Sequence, residues 1–440
     1  MERLERWVLR KVGLTPRLST FTETALSPRT GEARQFVQHL VDGHFEEAAA
    51  CFAPRMRRAL GVPELRQVWE KLAVRMGTFQ RVTGMNWQRL EGRDVVFVTL
   101  QLELKALLVK VVYNGEGVCG LWFSEPPRAL PYQPPAYADR IRFREADVSF
   151  GEGRWVLPGT LSLPISAHPV PAIVLVHGSG PNDRDETLGP NRPFRDLAWG
   201  LATQGIAVLR YDKRTLVHAH EMASLACLTV ADEVVDDAVA AVAWLRGRDD
   251  IDPARVFVLG HSLGGTLSPR IAARAPGVAG LVVLAGATRS FGTLLLEQSR
   301  YLSTLEGAAS DESKAALASL EAEVARLDSP ALSASDPPVL GVPASYWLDL
   351  RNYDPVAEAA QLTQPILVAQ GGRDYQVTEL DFARWQAGLA SRPRASLRRY
   401  PDANHLFMSG TGKPTPAEYE RAGHVAPEVI ADVAAWLRAV

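Results

Sequence analysis

The chain has 440 residues, of which 47% are hydrophobic and 22% charged, the balance of a globular protein with a sizeable core. A net charge of −2 gives no general attraction to nucleic acid or to an anionic membrane, and we expect neither as a partner. No apolar run reaches the roughly 18 residues of a membrane span, and residues 1–20 lack the apolar segment of a secretion signal. The three cysteines (Cys51, Cys119 and Cys227) show neither disulfide nor metal spacing, so we expect a cytoplasmic protein without metal or cofactor.

The first part of the chain predicts a small α+β domain. Residues 1–30 are a basic lead-in segment, and from residue 31 to 123 helical spacing is followed by alternation of period two. The predicted helices are 31–42, 45–52 and 64–72, and the predicted antiparallel strands are 79–90, 95–102, 107–113 and 118–123. His39 and His44 flank the first helix break, and we interpret both as solvated or packing side chains rather than as ligands.

A proline-rich stretch at 124–137 predicts an extended linker, and the second domain, 138–440, alternates strands with helices. Short alternating runs from residue 141 predict antiparallel strands, of which 148–150 turns into 155–163. The predicted strands that follow are 172–176, 206–211, 256–259, 281–284, 365–369 and 395–400, and the predicted helices are 193–203, 229–245, 265–273, 378–389 and 427–437. The alternation pauses between about 288 and 362, where helical spacing and then prolines and aromatic residues predict a helical cap. Repeated βα units predict an α/β fold with a mostly parallel sheet and helices on both faces, whose ligands bind at the carboxyl ends of the strands.

One strand of this sheet runs into the sequence Gly-His-Ser-Leu-Gly at 260–264. A Gly-x-Ser-x-Gly pentapeptide between a buried strand and a helix is typical of the nucleophile elbow, a strained turn that exposes its serine. Side chains two residues before and after that serine would collide with neighbouring strands, which Gly260 and Gly264 avoid. The pattern therefore predicts Ser262 as a catalytic nucleophile.

A serine nucleophile needs a base, and the base needs an acid to orient it. Asp374 follows the predicted strand 365–369 and His405 follows the strand 395–400, so both lie on the same sheet edge as Ser262 and in the chain order Ser, Asp, His. We predict these three as the catalytic triad. The alternatives left open are Asp402 as the acid and His424 as the base, while His177, His218 and His220 are interpreted as structural or solvated.

Acyl transfer also needs N–H donors for the developing oxyanion. We predict the N–H groups of Leu263 and Ser179 as donors, with Gly180 as the alternative to Ser179. Predicted substrate contacts are Gly180, His261 and, in the cap, Tyr346 and Trp347. The charged loop 181–186 is interpreted as self-paired, with Arg184 bound to Asp183, Asp185 or Glu186, and a contact to a polar leaving group is the alternative. Residues 212–214 are interpreted as a structural ion cluster.

Residues from about 141 to 440 resemble the α/β-hydrolase superfamily. Within it, His-Gly-Ser-Gly-Pro-Asn-Asp-Arg-Asp at 177–185, Arg-Tyr-Asp-Lys-Arg at 210–214 and the elbow sequence are similar to a bacterial carboxylesterase group of esterase D and serine-aminopeptidase-like hydrolases. The resemblance implies a serine hydrolase that uses the predicted triad. The first domain resembles the cystatin-like or NTF2-like domain of unknown function that precedes some bacterial hydrolase domains.

We therefore expect an enzyme that hydrolyses small-molecule carboxylic esters, with the first domain as a candidate homodimerisation module. A serine peptidase or acyltransferase of the same fold remains an alternative, for which Glu321 or Glu323 in the cap could hold a peptide amine. An alternative of another class is a ligand-binding protein on a repurposed hydrolase scaffold, against which an intact triad argues.

Overall fold

The structure, a computed structural model, describes residues 28–90, 93–126, 132–223, 225, 227–305 and 311–440. Residues 1–27 of the predicted lead-in, the first two residues of the turn at 91–94 and the centre of the predicted linker, 127–131, lie outside the described residues. The chain divides into two compact units, Met1–Leu130 and Pro131–Val440, and this division falls inside the predicted linker. No helix in the described ranges combines the length and apolar character that crossing a membrane requires.

In the described part of the first unit, four helices precede a four-stranded antiparallel sheet of order β1-β2-β3-β4. Its elements are α1 (Pro28–Val41), α2 (Phe45–Ala50), α3 (Pro54–Ala59), α4 (Val62–Met76), β1 (Phe79–Leu90), β2 (Arg93–Leu102), β3 (Ala106–Asn114) and β4 (Gly117–Ser124). Phe36 and Leu40 of α1 share a buried apolar cluster with Val96 of β2 and Val109 of β3. The sequence pattern does not predict α3, because its sequence Pro-Arg-Met-Arg-Arg-Ala buries a single residue, Met56, and so shows no apolar face.

The second unit is an eight-stranded sheet of order β12-β11-β10-β9-β7-β8-β6-β5. Its strands are β5 (Phe143–Phe150), β6 (Leu157–Pro164), β7 (Val170–Val176), β8 (Ala207–Tyr211), β9 (Ile251–His261), β10 (Val278–Leu284), β11 (Ile366–Gly371) and β12 (Ala395–Tyr400). All neighbouring pairs among β7 to β12 are parallel, while β6 is antiparallel to both β8 and β5. The predicted mostly parallel sheet is therefore confirmed, and its central strands read as apolar runs because both of their faces are buried.

The helices that follow these strands are α5 (Pro193–Thr203), α6 (Arg214–Val217), α7 (Ala219–Ala223), α8 (Asp236–Arg246), α9 (Leu263–Arg274), α14 (Glu379–Leu389) and α15 (Pro427–Ala439). A π-helical turn at Ala231–Val235 leads into α8, and Pro416–Glu420 forms a 3₁₀ turn. The predicted cap between β10 and β11 contains α10 (Phe291–Leu305), α11 (Asp311–Asp328), α12 (Ala344–Arg351) and α13 (Pro355–Gln361). The buried carboxylate of Asp381 anchors the start of the cap, because it accepts hydrogen bonds from Thr288 and Arg289.

Candidate active site

Ser262 sits on a strained turn between β9 and α9, with φ 54° and ψ −115°. A Cβ on Gly260 would lie 2.1 Å from the carbonyl oxygen of Gly264, and one on Gly264 would lie 2.3 Å from that of Val176. Any larger residue at these two positions would collide with backbone, which has no room to move. The two glycines are therefore what allows the chain to turn at Ser262.

The side chains of His405 and Asp374 meet, although they come from loops after different strands. The Nδ1 atom of His405 lies 2.6 Å from Oδ2 of Asp374, and both side chains are almost fully buried. The other carboxylate oxygen of Asp374 accepts the N–H groups of Gln376 and Val377, and Gln370 donates to Oδ2. With its Nδ1–H held by this carboxylate, the imidazole presents Nε2 as its free proton acceptor.

Close packing of the two loops brings this pair together. A Cβ on Gly371 would lie 2.6 Å from the carbonyl oxygens of Ala403 and Asn404, and one on Gly372 would lie 2.6 Å from that of Pro401. Inside the second loop, the side-chain oxygen of Asn404 accepts the N–H groups of Leu406 and Met408. The loop that carries His405 is thus fixed both by its neighbour and by its own hydrogen bonds.

The rival acid and the rival base lie elsewhere. Asp402 is exposed on the turn after β12. His424 lies just before α15, where its Nδ1 is 3.1 Å from the carboxylate of Asp196 and its ring packs edge-on against Tyr132. In the described part of the chain, neither residue forms a hydrogen bond or ion pair with Asp374 or His405, which leaves these two as the candidate acid and base.

The loop after β7 passes directly beside the nucleophile candidate. A Cβ on Gly178 would lie 3.2 Å from the Cβ of Ser262. The N–H of Gly178 donates to Oε1 of Glu186 over 2.7 Å, so this N–H already has a partner within the protein and is not the oxyanion donor. The next N–H along the loop is that of Ser179, which is half-buried. The N–H of Leu263 is the first N–H of α9. Both predicted donors therefore belong to segments that lie against Ser262, and a helix N-terminus favours negative charge.

His261 and Glu186 form a buried pair that the sequence did not predict. The Nδ1 atom of His261 lies 2.9 Å from Oε2 of Glu186, and its Nε2–H donates to the main-chain carbonyl of His405 over 2.9 Å. Burial alone would raise the pKa of Glu186, but the His261 imidazolium and the N–H of Gly178 hold that pKa below its ordinary value. The pair thus connects the elbow, the loop after β7 and the loop of His405.

Arg184, Asp185 and Glu186 of the loop 181–186 have their charged partners outside the loop, so the predicted pairing of Arg184 within the loop is wrong. Arg184 donates to the carboxylate of Asp212, on the loop after β8, with an Nη2 to Oδ2 distance of 2.9 Å. Asp185 pairs with Arg210 of β8 and with Arg195 of α5. Sequence neighbours could not supply these pairs, because the sheet brings β8 alongside the loop only in the folded chain.

The polar atoms of the other predicted substrate contacts have protein partners. The hydroxyl of Tyr346 donates to Glu233, and the indole N–H of Trp347 donates to the carbonyl of Val339. Like His261, both side chains are buried, at 3% and 4% exposure. Gly180 differs, because a Cβ there would meet no atom within 4 Å. A substrate role of these four residues stays a prediction, and open space favours it at Gly180.

His177 and His218 have structural contacts. The Nε2–H of His177 donates to the carbonyl of Asp183, and burial lowers the pKa of this histidine to about 4. His218 donates from Nε2 to the carbonyl of Val156, and the side chain of His220 lies outside what the structure describes. In the described part of the chain, no three His, Cys, Asp or Glu side chains are grouped so as to hold a metal ion. The cap residues Glu321 and Glu323 pair with Arg300 and Arg326.

Residues 173–424 match the family model described as the alpha/beta hydrolase family, and residues 33–119 match a model described as a protein of unknown function, DUF3887. The chain is also similar to Esterase EstD of Thermotoga maritima. Their identity is 40% over 407 residues, which covers 92% of this chain and 94% of the relative. Because 407 residues exceed the length of the second unit, this similarity extends into the first unit.

Two solved structures illustrate more distant similarity. An esterase of Pyrococcus furiosus aligns with a TM-score of 0.44 at 17% identity, over 71% of this chain and 97% of its own. A puromycin-hydrolysing peptidase of Mycobacterium tuberculosis also aligns with a TM-score of 0.44 at 17% identity, over 79% of this chain and 46% of its own.

Proposed function

The chain belongs to the alpha/beta hydrolase family and is a carboxylesterase-type enzyme that cleaves esters, and we propose that it does so through an acyl-enzyme on Ser262. The observation that carries this mechanism is the connection between the elbow and the base loop. His261, the residue before Ser262, donates to the main chain of His405, whose ring is in turn held by Asp374. Nucleophile, base and acid are therefore joined by two direct contacts between their loops.

The proposed reaction begins when Nε2 of His405 takes the proton of the Ser262 hydroxyl. The serine oxygen attacks the ester carbonyl, and the resulting oxyanion is held by the N–H groups of Leu263 and Ser179. Collapse of this intermediate expels the alcohol, which receives the proton from His405, and leaves the acyl group on Ser262. A water molecule, activated by the same histidine, then releases the acid.

We propose an acyl or aryl ester of modest size as substrate. Tyr301 of the cap helix α10 stacks on Tyr375, the residue after Asp374, with ring centroids 5.2 Å apart and planes inclined by 14°. The Tyr301 hydroxyl also donates to the carbonyl of Pro414. These contacts hold α10 against the loop of the acid, which favours short substrates over long chains.

The test is a series of p-nitrophenyl esters of increasing acyl length, measured with the wild type and with Ser262→Ala. We expect turnover that is highest for short acyl chains and that is lost in the variant, while circular dichroism shows the same fold for both. Turnover by Ser262→Ala close to that of the wild type would remove Ser262 from the mechanism. A rate that rises steadily with chain length would overturn the proposed substrate size.

For the first unit we propose homodimerisation, which its exposed apolar side chains Val74 and Leu104 support. Light scattering on the full chain and on residues 132–440 tests this. The proposal predicts a dimeric full chain and a monomeric fragment, and a monomeric full chain would contradict it.

We propose the cytoplasm as the site of action, without nucleic acid as a partner. Cys51, Cys119 and Cys227 are all unpaired, and Cys227 is exposed, which suits a reducing compartment. Fractionation of the source cells would place the protein with cytoplasmic markers, and its recovery from an oxidising compartment would contradict this assignment.

A further inference from the structure

The peptide group between Gly178 and Ser179 has an unusual partner on its carbonyl side. The Nζ atom of Lys213 donates to the carbonyl oxygen of Gly178 over 2.8 Å, and the side-chain amide of Asn182 donates to the same oxygen over 3.3 Å. Lys213 is only 2% exposed. Burying an ammonium group costs free energy unless the group is paired, so the partners of Lys213 are what keep it in this position.

This carbonyl belongs to the same peptide unit as the N–H that we propose as an oxyanion donor. In a trans peptide the C=O and the N–H point in opposite directions, so fixing the direction of one fixes that of the other. A charge-assisted hydrogen bond at the carbonyl also draws electron density from the N–H, which makes it a stronger donor. The ammonium of Lys213 therefore both aims and polarises the N–H of Ser179.

Lys213 is held in turn by a contact that leads to the cap. Its Nζ lies 2.6 Å from Oε1 of Glu233, in the π-helical turn before α8. The other carboxylate oxygen of Glu233 accepts the hydroxyl of Tyr346 from the cap helix α12, over 2.6 Å. Burial and the adjacent Glu233 carboxylate raise the pKa of Tyr346 well above its ordinary value, so the tyrosine stays protonated and donates.

The same cap helix is attached to this segment at two further points. The Ser345 hydroxyl donates to the carbonyl of Leu228 over 2.7 Å, and the carboxylate of Asp349 accepts the N–H of Val230 over 3.2 Å. Glu233 therefore lies at the place where α12 is docked onto the hydrolase unit. A shift of α12 would move the group that neutralises Lys213.

We infer that Lys213 is a positioning residue of the oxyanion hole, which acts on the Ser179 N–H through the Gly178 carbonyl and is tied to the cap by Glu233 and Tyr346. The inference rests on the proposed function, because it assigns the Ser179 N–H to the oxyanion. It also revises the interpretation of 212–214. Asp212 and Arg214 do pair structurally, with Arg184 and Asp237, but Lys213 contacts the site.

The test compares the full-length wild type with Lys213→Met, with the double variant Lys213→Met/Glu233→Gln and with Tyr346→Phe. The double variant replaces the buried ion pair by neutral side chains of similar volume, which costs less stability than leaving Glu233 as an unpaired buried charge. The matched control is Tyr400→Phe, since Tyr400 also donates to a carboxylate, that of Asp432, but on β12 away from Gly178.

Two quantities are measured for each protein. One is kcat and KM with p-nitrophenyl acetate. The other is the inhibition constant of an aryl trifluoromethyl ketone. Ser262 adds to the ketone carbon and its proton passes to His405, so that the ketone oxygen becomes an oxyanion in the same hole. The affinity for this ketone therefore reports on the oxyanion hole directly. A loss of stability alone would not change this affinity in the folded protein.

We expect both Lys213 variants to lose kcat and ketone affinity in parallel, by roughly 10- to 100-fold, less than the loss of a whole oxyanion donor, with KM nearly unchanged. Tyr346→Phe should show the same parallel loss at about threefold to tenfold, and Tyr400→Phe should resemble the wild type. Folded Lys213 variants with unchanged ketone affinity would overturn the inference, whatever their stability. If Ser262→Ala retained activity, the proposed function itself would fail, whereas a Ser262-dependent esterase that is indifferent to Lys213 would remove this inference alone.

Discussion

The imidazole of His261 donates from Nε2 to the main-chain carbonyl of His405, 2.9 Å away, and the two rings lie with centroids 4.7 Å apart. One of these histidines precedes the nucleophile candidate and the other is the candidate base. The contact therefore links two loops that are separated by 144 residues in the chain. The hydrogen bond between His261 and His405 depends on Glu186, because the carboxylate of Glu186 pairs with Nδ1 of His261 and holds the ring in place.

Replacing His261 should damage both stability and catalysis. His261→Asn leaves Glu186 as a buried carboxylate without its cation, which should cost about 3–5 kcal/mol in the free energy of unfolding. Release of the His405 main chain should lower kcat by about tenfold, since misplacement of a base weakens proton transfer. Urea unfolding and steady-state kinetics measure the two effects. The control His424→Asn removes a half-buried histidine from Asp196 and should leave kcat unchanged, and equal kcat losses in the two variants would contradict the role of His261.

The acid of the triad can be tested by charge removal at constant shape. Asp374→Asn should lower kcat by roughly 10⁴-fold, because an amide no longer holds His405 in the tautomer that accepts the serine proton. Asp402→Asn serves as the control, since Asp402 is exposed three residues before His405. We expect its kinetics to match the wild type. A large loss in Asp402→Asn together with an active Asp374→Asn would reassign the acid.

Gly178→Ala should slow the reaction without unfolding the protein. The added Cβ would lie 3.2 Å from the Cβ of Ser262 and 3.4 Å from Oε1 of Glu186, so the loop or the elbow must shift by a few tenths of an ångström. We expect kcat to fall by about tenfold, equivalent to ~1.4 kcal/mol of transition-state stabilisation. Gly247→Ala is the matched control, because its Cβ would meet no atom closer than 3.7 Å. Wild-type kcat in Gly178→Ala would show that the loop after β7 takes no part in the site.

The loss of stability at acid pH should depend on the carboxyl group of Glu145. Burial alone would raise the pKa of Glu145, but Arg210 and hydrogen bonds from Trp199, Ser162 and Arg140 lower it from 4.5 to about 2. A pKa that is lower in the folded state gives stability that is present above pH 4.5 and is lost as the pH falls toward 2. The free energy of unfolding of Glu145→Gln, measured by urea from pH 6 to 3, should therefore decline less steeply than that of the wild type. The exposed Glu152→Gln is the control, and identical slopes in all three proteins would contradict this role of Glu145.

The sheet was predictable from sequence because its signals are local. Buried parallel strands produce apolar runs, as at β7 and β9, and the strained turn at Ser262 requires glycines at fixed spacing. A threonine followed three positions later by an aspartate is a local capping pattern at a helix start, and Thr229 and Asp232 form its hydrogen bonds. The alternation from residue 141 likewise predicts the antiparallel edge of the sheet, where β5 begins at Phe143 and pairs with β6.

The partners of the charged residues were not predictable, because they depend on which loops the fold brings together. Glu186 lies 75 positions from His261 in the chain, and Lys213 lies 35 positions from Gly178, yet each pair is in contact. The partner of a cap aromatic was hidden for the same reason. The sequence predicts substrate contact for Tyr346, and the structure adds that its hydroxyl donates to Glu233. Only the docking of α12 on the turn before α8 creates this partner.

The central claim is that Ser262 is the nucleophile of this esterase, and labelling by a fluorophosphonate tests it most directly. The wild type would be incubated with the probe until hydrolysis of p-nitrophenyl acetate stops, then digested and mapped by mass spectrometry. The mechanism predicts one phosphonate per chain, attached to the peptide that contains Ser262, no labelling of Ser262→Ala, and loss of activity in proportion to the label. A label on another serine that accounts for the lost activity, or full activity in a chain labelled at Ser262, would contradict it.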